Sequence, residues 1–146
     1  MVQSKRFKPV QRVAESRERK AARSFGQSQR LMHDQEARLE ELRRYHEEYL
    51  QRFRESSQMG MSASQLQEYR AFLEKLEKAI EAQKKIVLAS RQNRTSQMEN
   101  WQQKHMRSQV LDKVVSRYAQ EDRKIQESRE QHELDDRNQH GRGQKD

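Results

Sequence analysis

A seven-residue repeat through the second half of the chain is the feature that most restricts its fold. Counted from Leu66, the first (a) and fourth (d) positions keep one register as far as Ile125, are mostly apolar at both ends, and are not interrupted by proline. This repeat predicts a long helix packed against another helix in a coiled coil. The a positions are Leu66, Leu73, Ile80, Val87, Arg94, Trp101, Ser108, Val115 and Asp122, and the d positions are Tyr69, Leu76, Gln83, Ser90, Gln97, Lys104, Leu111, Tyr118 and Ile125.

The heptad repeat is weakest in its middle, and the composition of the chain restricts the fold further. Between Gln83 and Lys104 most a and d residues are polar or small, which predicts a soft, wet or bent seam. Only 31% of residues are hydrophobic and 37% are charged, against roughly 25% charged in an average soluble domain. The chain has too few hydrophobic residues to fill a globular core. The fold class predicted is all-α, an elongated antiparallel two-helix coiled-coil hairpin.

A bend rich in serine, glycine and methionine separates the two helices. Ser62 precedes Gln65 by three residues, the spacing of a capping box, in which each side chain bonds the other residue's backbone amide. Met61 and Leu66 have the spacing of the matching hydrophobic staple. Gly60 can take a positive φ that other residues resist. Helix two is therefore predicted to begin near Ser62.

Three segments follow from this reading. Residues 1–9 are a flexible basic tail that ends at Pro9, the only proline. Residues 10–135 form the hairpin, with helix one at about 10–54, the bend at about 55–62 and helix two at about 62–135, and residues 136–146 are disordered. A bend centred near Met59 pairs residues whose numbers sum to about 118, such as Tyr49 with Tyr69.

Positive charge is concentrated at the start of the chain. The formal net charge is +8, and residues 1–30 hold nine Lys or Arg against only Glu15 and Glu18. Such a patch suits nucleic acid, anionic lipid or an acidic protein surface, and a solvated helix face is an equal alternative.

No residue is predicted to do chemistry. The four glycines stand apart, so no phosphate-binding loop is present, and His132 to Asp136 lacks the second histidine of a zinc-protease helix. No catalytic residue, metal ligand, cofactor or small-molecule substrate is predicted. The chain has no cysteine, signal peptide or long apolar run, so a soluble cytoplasmic protein is expected.

Apolar residues near the bend exceed what the two-helix seam requires. One interpretation is a thicker seam. The other is an exposed stripe for a partner protein. The stripe comprises Leu42, Tyr45, Tyr49, Phe72, Leu76 and Ala79.

The spacing about the bend resembles a known family. The residues that carry the resemblance are Leu42, Tyr45, Glu48, Tyr49, Gly60, Tyr69, Phe72, Leu76 to Ile80, Trp101 and Lys104. Their pattern is similar to that of the flagellar export protein family FliJ. The resemblance covers most of the chain in layout and is most specific between Leu39 and Gln83.

The resemblance implies a component of the flagellar type III export apparatus at the cytoplasmic face of the inner membrane. FliJ proteins are antiparallel coiled coils similar to the γ-subunit stalk of rotary ATPases. They insert their terminal arms into the hexameric export ATPase FliI and promote its assembly. They also contact the export gate protein FlhA and bind export chaperones. Carried onto this chain, the gate-binding face is the stripe of Leu42, Tyr45, Tyr49, Phe72, Leu76 and Ala79.

The leading hypothesis is therefore a non-enzymatic stalk that couples the ATPase to the gate. The basic arm is predicted to enter the ATPase ring through Arg12, Arg17, Arg19 and Arg23. The alternatives are a basic coiled coil that binds nucleic acid or anionic membrane, and a helical scaffold with no defined partner face.

Overall fold

Two long α helices make up the part of the chain that the computed structural model describes, which is residues Val2–Gly143 with the side chains of residues 3–141. Helix α1 spans Val2–Met59 and helix α2 spans Ala63–Gly143. No strand occurs within these described residues. The predicted all-α hairpin of two packed helices is confirmed.

The turn between the helices has the predicted chemistry. Gly60 follows the end of α1 with a φ of 93°, a conformation that costs a residue with a Cβ roughly 1–2 kcal/mol. The Ser62 hydroxyl accepts a hydrogen bond from the Gln65 amide at 3.2 Å, and the Ser62 amide donates to Gln65 Oε1 at 3.3 Å. This reciprocal pair is the predicted capping box, and it satisfies two amides that the first turn of α2 leaves without helical partners.

The first nine residues differ from the flexible tail predicted for them. Helix α1 begins at Val2 and continues through Pro9. Proline removes one amide donor and crowds the carbonyl four residues earlier, a cost that packing can offset. Here the Phe7 ring stacks on Tyr118 with centroids 5.2 Å apart, and the Ser4 hydroxyl donates to Asp122 at 2.7 Å. These contacts hold the segment against α2.

The end of the chain also differs from its prediction. Helix α2 continues to Gly143, where a helix end near residue 135 and a disordered tail were expected. Described side chains beyond Asp122 are all exposed, so packing does not carry the helix there. The segment is rich in Glu, Gln and Arg, which favour helix without burial. The last three residues, 144–146, lie outside the described part.

The chain divides into two compact units. The turn unit comprises Ala22–Asn100, and the terminal unit comprises Met1–Ala21 with Trp101–Asp146. In the turn unit Leu39, Ile80 and Val87 form the core and Leu42 packs against them. In the terminal unit the buried residues are small, namely Ala14, Ala21 and Ser108.

The heptad prediction for α2 agrees with the burial of its side chains. Every a and d residue from Leu66 to Asp122 is buried or half-buried, including the polar ones, whereas Ile125 is exposed. In the turn unit the buried Gln83 donates through Nε2 to the side-chain and backbone oxygens of Gln35, at 2.8 and 3.0 Å. The seam thus tolerates polar residues when they are paired.

Helix α1 has a matching repeat that the sequence analysis found only in part. Its buried and half-buried residues include one at every third or fourth position from Ser4 to Ser56. Val13 and Leu31 are apolar but lie outside this repeat, and both are exposed. The seam of α1 consists of Ser4, Phe7, Gln11, Ala14, Glu18, Ala21, Phe25, Ser28, Met32, Gln35, Leu39, Leu42, His46, Tyr49, Phe53 and Ser56.

Candidate partner-binding surfaces

Five aromatic side chains form a continuous cluster in the turn unit. Tyr49 lies at its centre, with its ring centroid 4.4 Å from that of Phe72 and 5.1 Å from that of Tyr69. Tyr45 meets Phe72 edge-on at 6.0 Å, and Phe53 meets Tyr69 at 5.6 Å. Tilted and edge-on geometries at these distances are favourable for aromatic pairs. The aromatic cluster is thus Tyr45, Tyr49, Phe53, Tyr69 and Phe72.

The cluster has a covered centre and an open edge. Burial raises the pKa of the Tyr49 hydroxyl, because the phenolate would lose solvation there. Tyr45, in contrast, is 44% exposed. Phe72 bridges the two residues. A partner protein would therefore meet the cluster along Tyr45 and the outer edge of Phe72.

The predicted gate-binding stripe separates into core and surface residues. Leu76 is buried and Leu42 packs against the core, so both serve the seam. Tyr49 and Ala79 are half-buried, as is Phe72. Tyr45 is the one residue of the stripe whose exposure exceeds a third. Leu42 and Leu76 thus fit the interpretation as a thicker seam, and partner binding by the stripe stays a prediction, with Tyr45 its exposed member.

The arginines predicted to bind the ATPase all point outward. Arg12, Arg17 and Arg19 are exposed in the terminal unit, and Arg23 is exposed in the turn unit. None of the four forms an ion pair within the described part of the chain. Exposed guanidinium groups without carboxylate partners remain able to bind an acidic surface.

Two basic residues of α2 join this surface in the terminal unit. Lys104 and Arg107 line a shallow groove together with Arg17 and the exposed Val10 and Val13. The sequence analysis did not include Lys104 and Arg107 in the ATPase-binding set. The pairing sum of about 118 could not have identified them, because contacts in this unit, such as Glu18 with His105, follow a different sum.

A polar pair holds the helices together in the same unit. Nδ1 of His105 lies 2.5 Å from Glu18 Oε1, and the imidazole stacks on Trp101 with centroids 5.2 Å apart. The hydrogen bond from His105 lowers the pKa of the Glu18 carboxyl, with a further contribution from Ser108 that offsets its partial burial. Glu18 is a seam residue of α1 and His105 flanks the seam of α2 next to Lys104, so this half-buried pair links the helices rather than offering a reactive group.

Metal-binding clusters and membrane-spanning segments are both absent from the described residues. No group of three or more His, Cys, Asp or Glu side chains is placed to hold a metal ion. Neither helix contains a segment apolar enough over sufficient length to span a bilayer.

Together, two packed helices with a largely polar seam, an aromatic cluster and an exposed basic surface define an all-α protein of the helical-hairpin class. The family model described as flagellar FliJ protein matches residues 3–145, and the chain belongs to the FliJ family. Membership implies a structural protein related to flagellar export that takes part in the export complex. No curated protein and no solved structure matches the chain.

Proposed function

We propose that this protein is a non-enzymatic stalk of the flagellar export apparatus that joins a hexameric ATPase of the FliI type to an export gate protein of the FlhA type. The observation that carries the proposal is the family match over residues 3–145. It is supported by the two distinct surfaces, one basic in the terminal unit and one aromatic in the turn unit. The working site is the cytoplasmic face of the inner membrane, and export chaperones are additional partners.

The basic surface of the terminal unit binds the ATPase ring. Arg12, Arg17 and Arg19 are exposed and form no ion pair within the described part of the chain, so they suit a pore lined by acidic groups. A ligand that binds the assembled hexamer more tightly than its subunits shifts the equilibrium toward the hexamer by mass action. ATPase activity rises through assembly, without any catalytic group from this chain.

The aromatic cluster binds the gate protein. Tyr45 is the exposed member, and it rests on Phe72, which Tyr49 supports from within. Rigid aromatic side chains of this kind dominate many protein interfaces, where truncation at a hot spot costs about 2 kcal/mol or more. Leu42, Leu76 and Ala79 contribute by fixing the two helices beneath the cluster.

Charge reversal and aromatic truncation test the two surfaces in one set of assays. The variant Arg12→Glu, Arg17→Glu, Arg19→Glu is expected to abolish stimulation of the export ATPase while binding the gate protein normally. Arg23, which belongs to the other unit, is reversed on its own. Tyr45→Ala is expected to weaken gate binding about tenfold or more while ATPase stimulation persists.

The controls carry the same chemical changes elsewhere. Reversal of Arg43, Arg44 and Arg70, all exposed in the turn unit, alters net charge equally and is expected to leave ATPase stimulation intact. Helix content by circular dichroism and a thermal melt accompany each variant. Undiminished stimulation by the first triple variant, or equal loss in the control, contradicts the basic surface as the ATPase site.

The alternative partner, nucleic acid or anionic membrane, would use the same arginines. Phosphate binding weakens steeply with salt because counterions are released. A salt titration against duplex DNA and against anionic vesicles separates this alternative. Binding to either at physiological salt, without binding to the ATPase, would replace the stalk proposal.

A further inference from the structure

The two flanks of the turn unit are closed in different ways. On one flank Arg91 Nε lies 2.9 Å from Glu36 Oε1, so an ion pair crosses between the helices, and His46 Nε2 lies 3.6 Å from Glu77 Oε1. On the other flank Tyr45 meets Phe72, and no ion pair joins the helices there among the described residues. The first flank is thus closed by charged and polar side chains, and the second is closed by the apolar rings of Tyr45 and Phe72.

Steps of seven residues continue the apolar flank along both helices. A coiled-coil helix returns to the same flank every heptad. From Phe72 the steps reach Ala79 and Ile86, and from Tyr45 they reach Arg38 and Leu31. Leu31 and Ile86 are each 46% exposed. The flank stripe is therefore Leu31, Arg38, Tyr45, Phe72, Ala79 and Ile86, which extends about 21 Å along each helix at 1.5 Å per residue.

The border of the flank stripe on α1 is acidic. The next heptad position outward carries Asp34, Glu41 and Glu48, all exposed. The equivalent position on α2 carries Glu68 at the end nearest the turn, followed by Lys75, Ala82 and Ala89. The α1 edge of the apolar surface is thus uniformly negative, whereas the α2 edge has one carboxylate, one lysine and two alanines.

We propose that the flank stripe docks a single amphipathic helix of a partner protein, which carries basic residues along the edge that lies over α1. This proposal rests on the proposed function, since Tyr45 and Phe72 belong to the proposed gate surface, and it names the chemistry of the docking segment. The third helix covers Leu31 and Ile86 with its apolar face. Its basic edge pairs with Asp34, Glu41 and Glu48, and a carboxylate within its apolar face meets Arg38.

A second copy of this chain fits the surface less well. A two-fold axis across the stripe sets the acidic edge of one copy against the acidic edge of the other. A two-fold axis along the stripe puts both Arg38 side chains in the same layer of the interface. Like charges in close proximity oppose either arrangement. A partner helix with a basic edge avoids both conflicts.

Two designed helical peptides of about 21 residues, with the same apolar face and a central glutamate, test the proposal. One carries lysines along an edge and the other carries glutamates there. The full-length chain is titrated into each labelled peptide, and fluorescence anisotropy gives the dissociation constants. The lysine-edged peptide is expected to bind at least about tenfold more tightly. Because the chain has a net charge of +8, long-range attraction alone predicts the opposite order.

Matched substitutions locate the binding site. Leu31→Asn and Ile86→Asn are each expected to weaken binding of the lysine-edged peptide about tenfold. Leu88→Asn is the control, because Leu88 is 57% exposed at a heptad position away from the stripe. All three residues are exposed, so the variants retain their helix content. Lys substitutions at Asp34, Glu41 and Glu48 together are expected to reverse the preference between the peptides.

Equal binding of the two peptides overturns the proposal. So does a result in which Leu88→Asn and Ile86→Asn weaken binding of the lysine-edged peptide equally. If sedimentation finds a dimer that Ile86→Asn disperses, the flank stripe binds a second copy of this chain instead of a partner helix. Gate binding that is lost in Tyr45→Ala, without any peptide preference, removes this inference and leaves the proposed function standing. If the chain prefers the lysine-edged peptide but does not bind the gate protein, the proposed function is removed and the docking of a basic-edged helix stands.

Discussion

The turn unit and the terminal unit use the same two helices but different chemistry in the seam. The turn unit buries the aliphatic Leu39, Ile80 and Val87 beside an aromatic cluster. The terminal unit buries alanine and serine, and polar pairs such as Glu18 with His105 cross its seam. Since free energy from burial scales with apolar area, most of the stability is expected in the turn unit. The terminal unit is expected to open locally at lower cost.

The largest expected effect is in the core of the turn unit. Ile80→Ala removes most of a buried side chain and is expected to lower the free energy of unfolding by about 2–4 kcal/mol. The matched variant Leu111→Ala changes a half-buried residue of the terminal unit and is expected to cost about 1 kcal/mol or less. Urea unfolding followed by circular dichroism measures both. Equal costs would contradict the difference between the units.

A smaller effect is expected at the turn. Ser62→Ala removes the hydroxyl that accepts the Gln65 amide, and is expected to lower the free energy of unfolding by about 1 kcal/mol. Ser64→Ala, also exposed but outside the capping box, serves as the control. If the two variants unfold at the same urea concentration, the capping box contributes nothing measurable.

The smallest effect concerns the polar seam of the terminal unit. The pKa of Glu18 is lowered from 4.5, chiefly by the hydrogen bond with His105. A lowered pKa in the folded state stabilises the fold above 4.5, and this contribution is lost as the pH falls through the folded-state value. Glu18→Gln is expected to cost about 0.5 kcal/mol near pH 6, because the pair is partly exposed, and less as the solution is acidified.

Urea unfolding of Glu18→Gln at several pH values measures this dependence. Glu15→Gln is the control, since Glu15 is half-buried on the same helix and takes no part in an ion pair within the described residues. A cost that stays constant or grows on acidification would show that the ionised carboxylate of Glu18 is not what stabilises this seam.

Sequence reasoning predicted α2 better than α1, for a physical reason. On α2 the repeat starts from Leu66, Leu73 and Ile80, and the polar positions that follow could be counted from it. On α1 many seam residues are polar, such as Gln11 and Ser28, so an apolar pattern does not reveal them. Val13, in contrast, is apolar and yet exposed, so its type alone would suggest a seam position that it does not occupy.

The pairing of the helices was predictable only near the turn. Tyr49 packs on Tyr69 as the sum of about 118 requires. In the terminal unit Glu18 contacts His105, where that sum would pair it with Asn100. Small and polar side chains do not enforce one register over another, so extrapolation from the turn fails there. The sequence also could not show that Tyr45 is exposed and Leu76 is buried, because both belong to the same set of apolar residues near the turn.

The paired glutamines of the turn unit bear on how the hairpin selects its alignment while it folds. If α2 slid past α1 by one heptad, Ser90 or Leu76 would take the place opposite Gln35. With Ser90 there, the Gln83 amide, which now meets two oxygens of Gln35, would face Leu42 instead, and leaving it unpaired costs about 1–3 kcal/mol. Leucines and valines accept such slippage far more readily. The pair of Gln35 and Gln83 therefore favours one alignment of the two helices as they pack together.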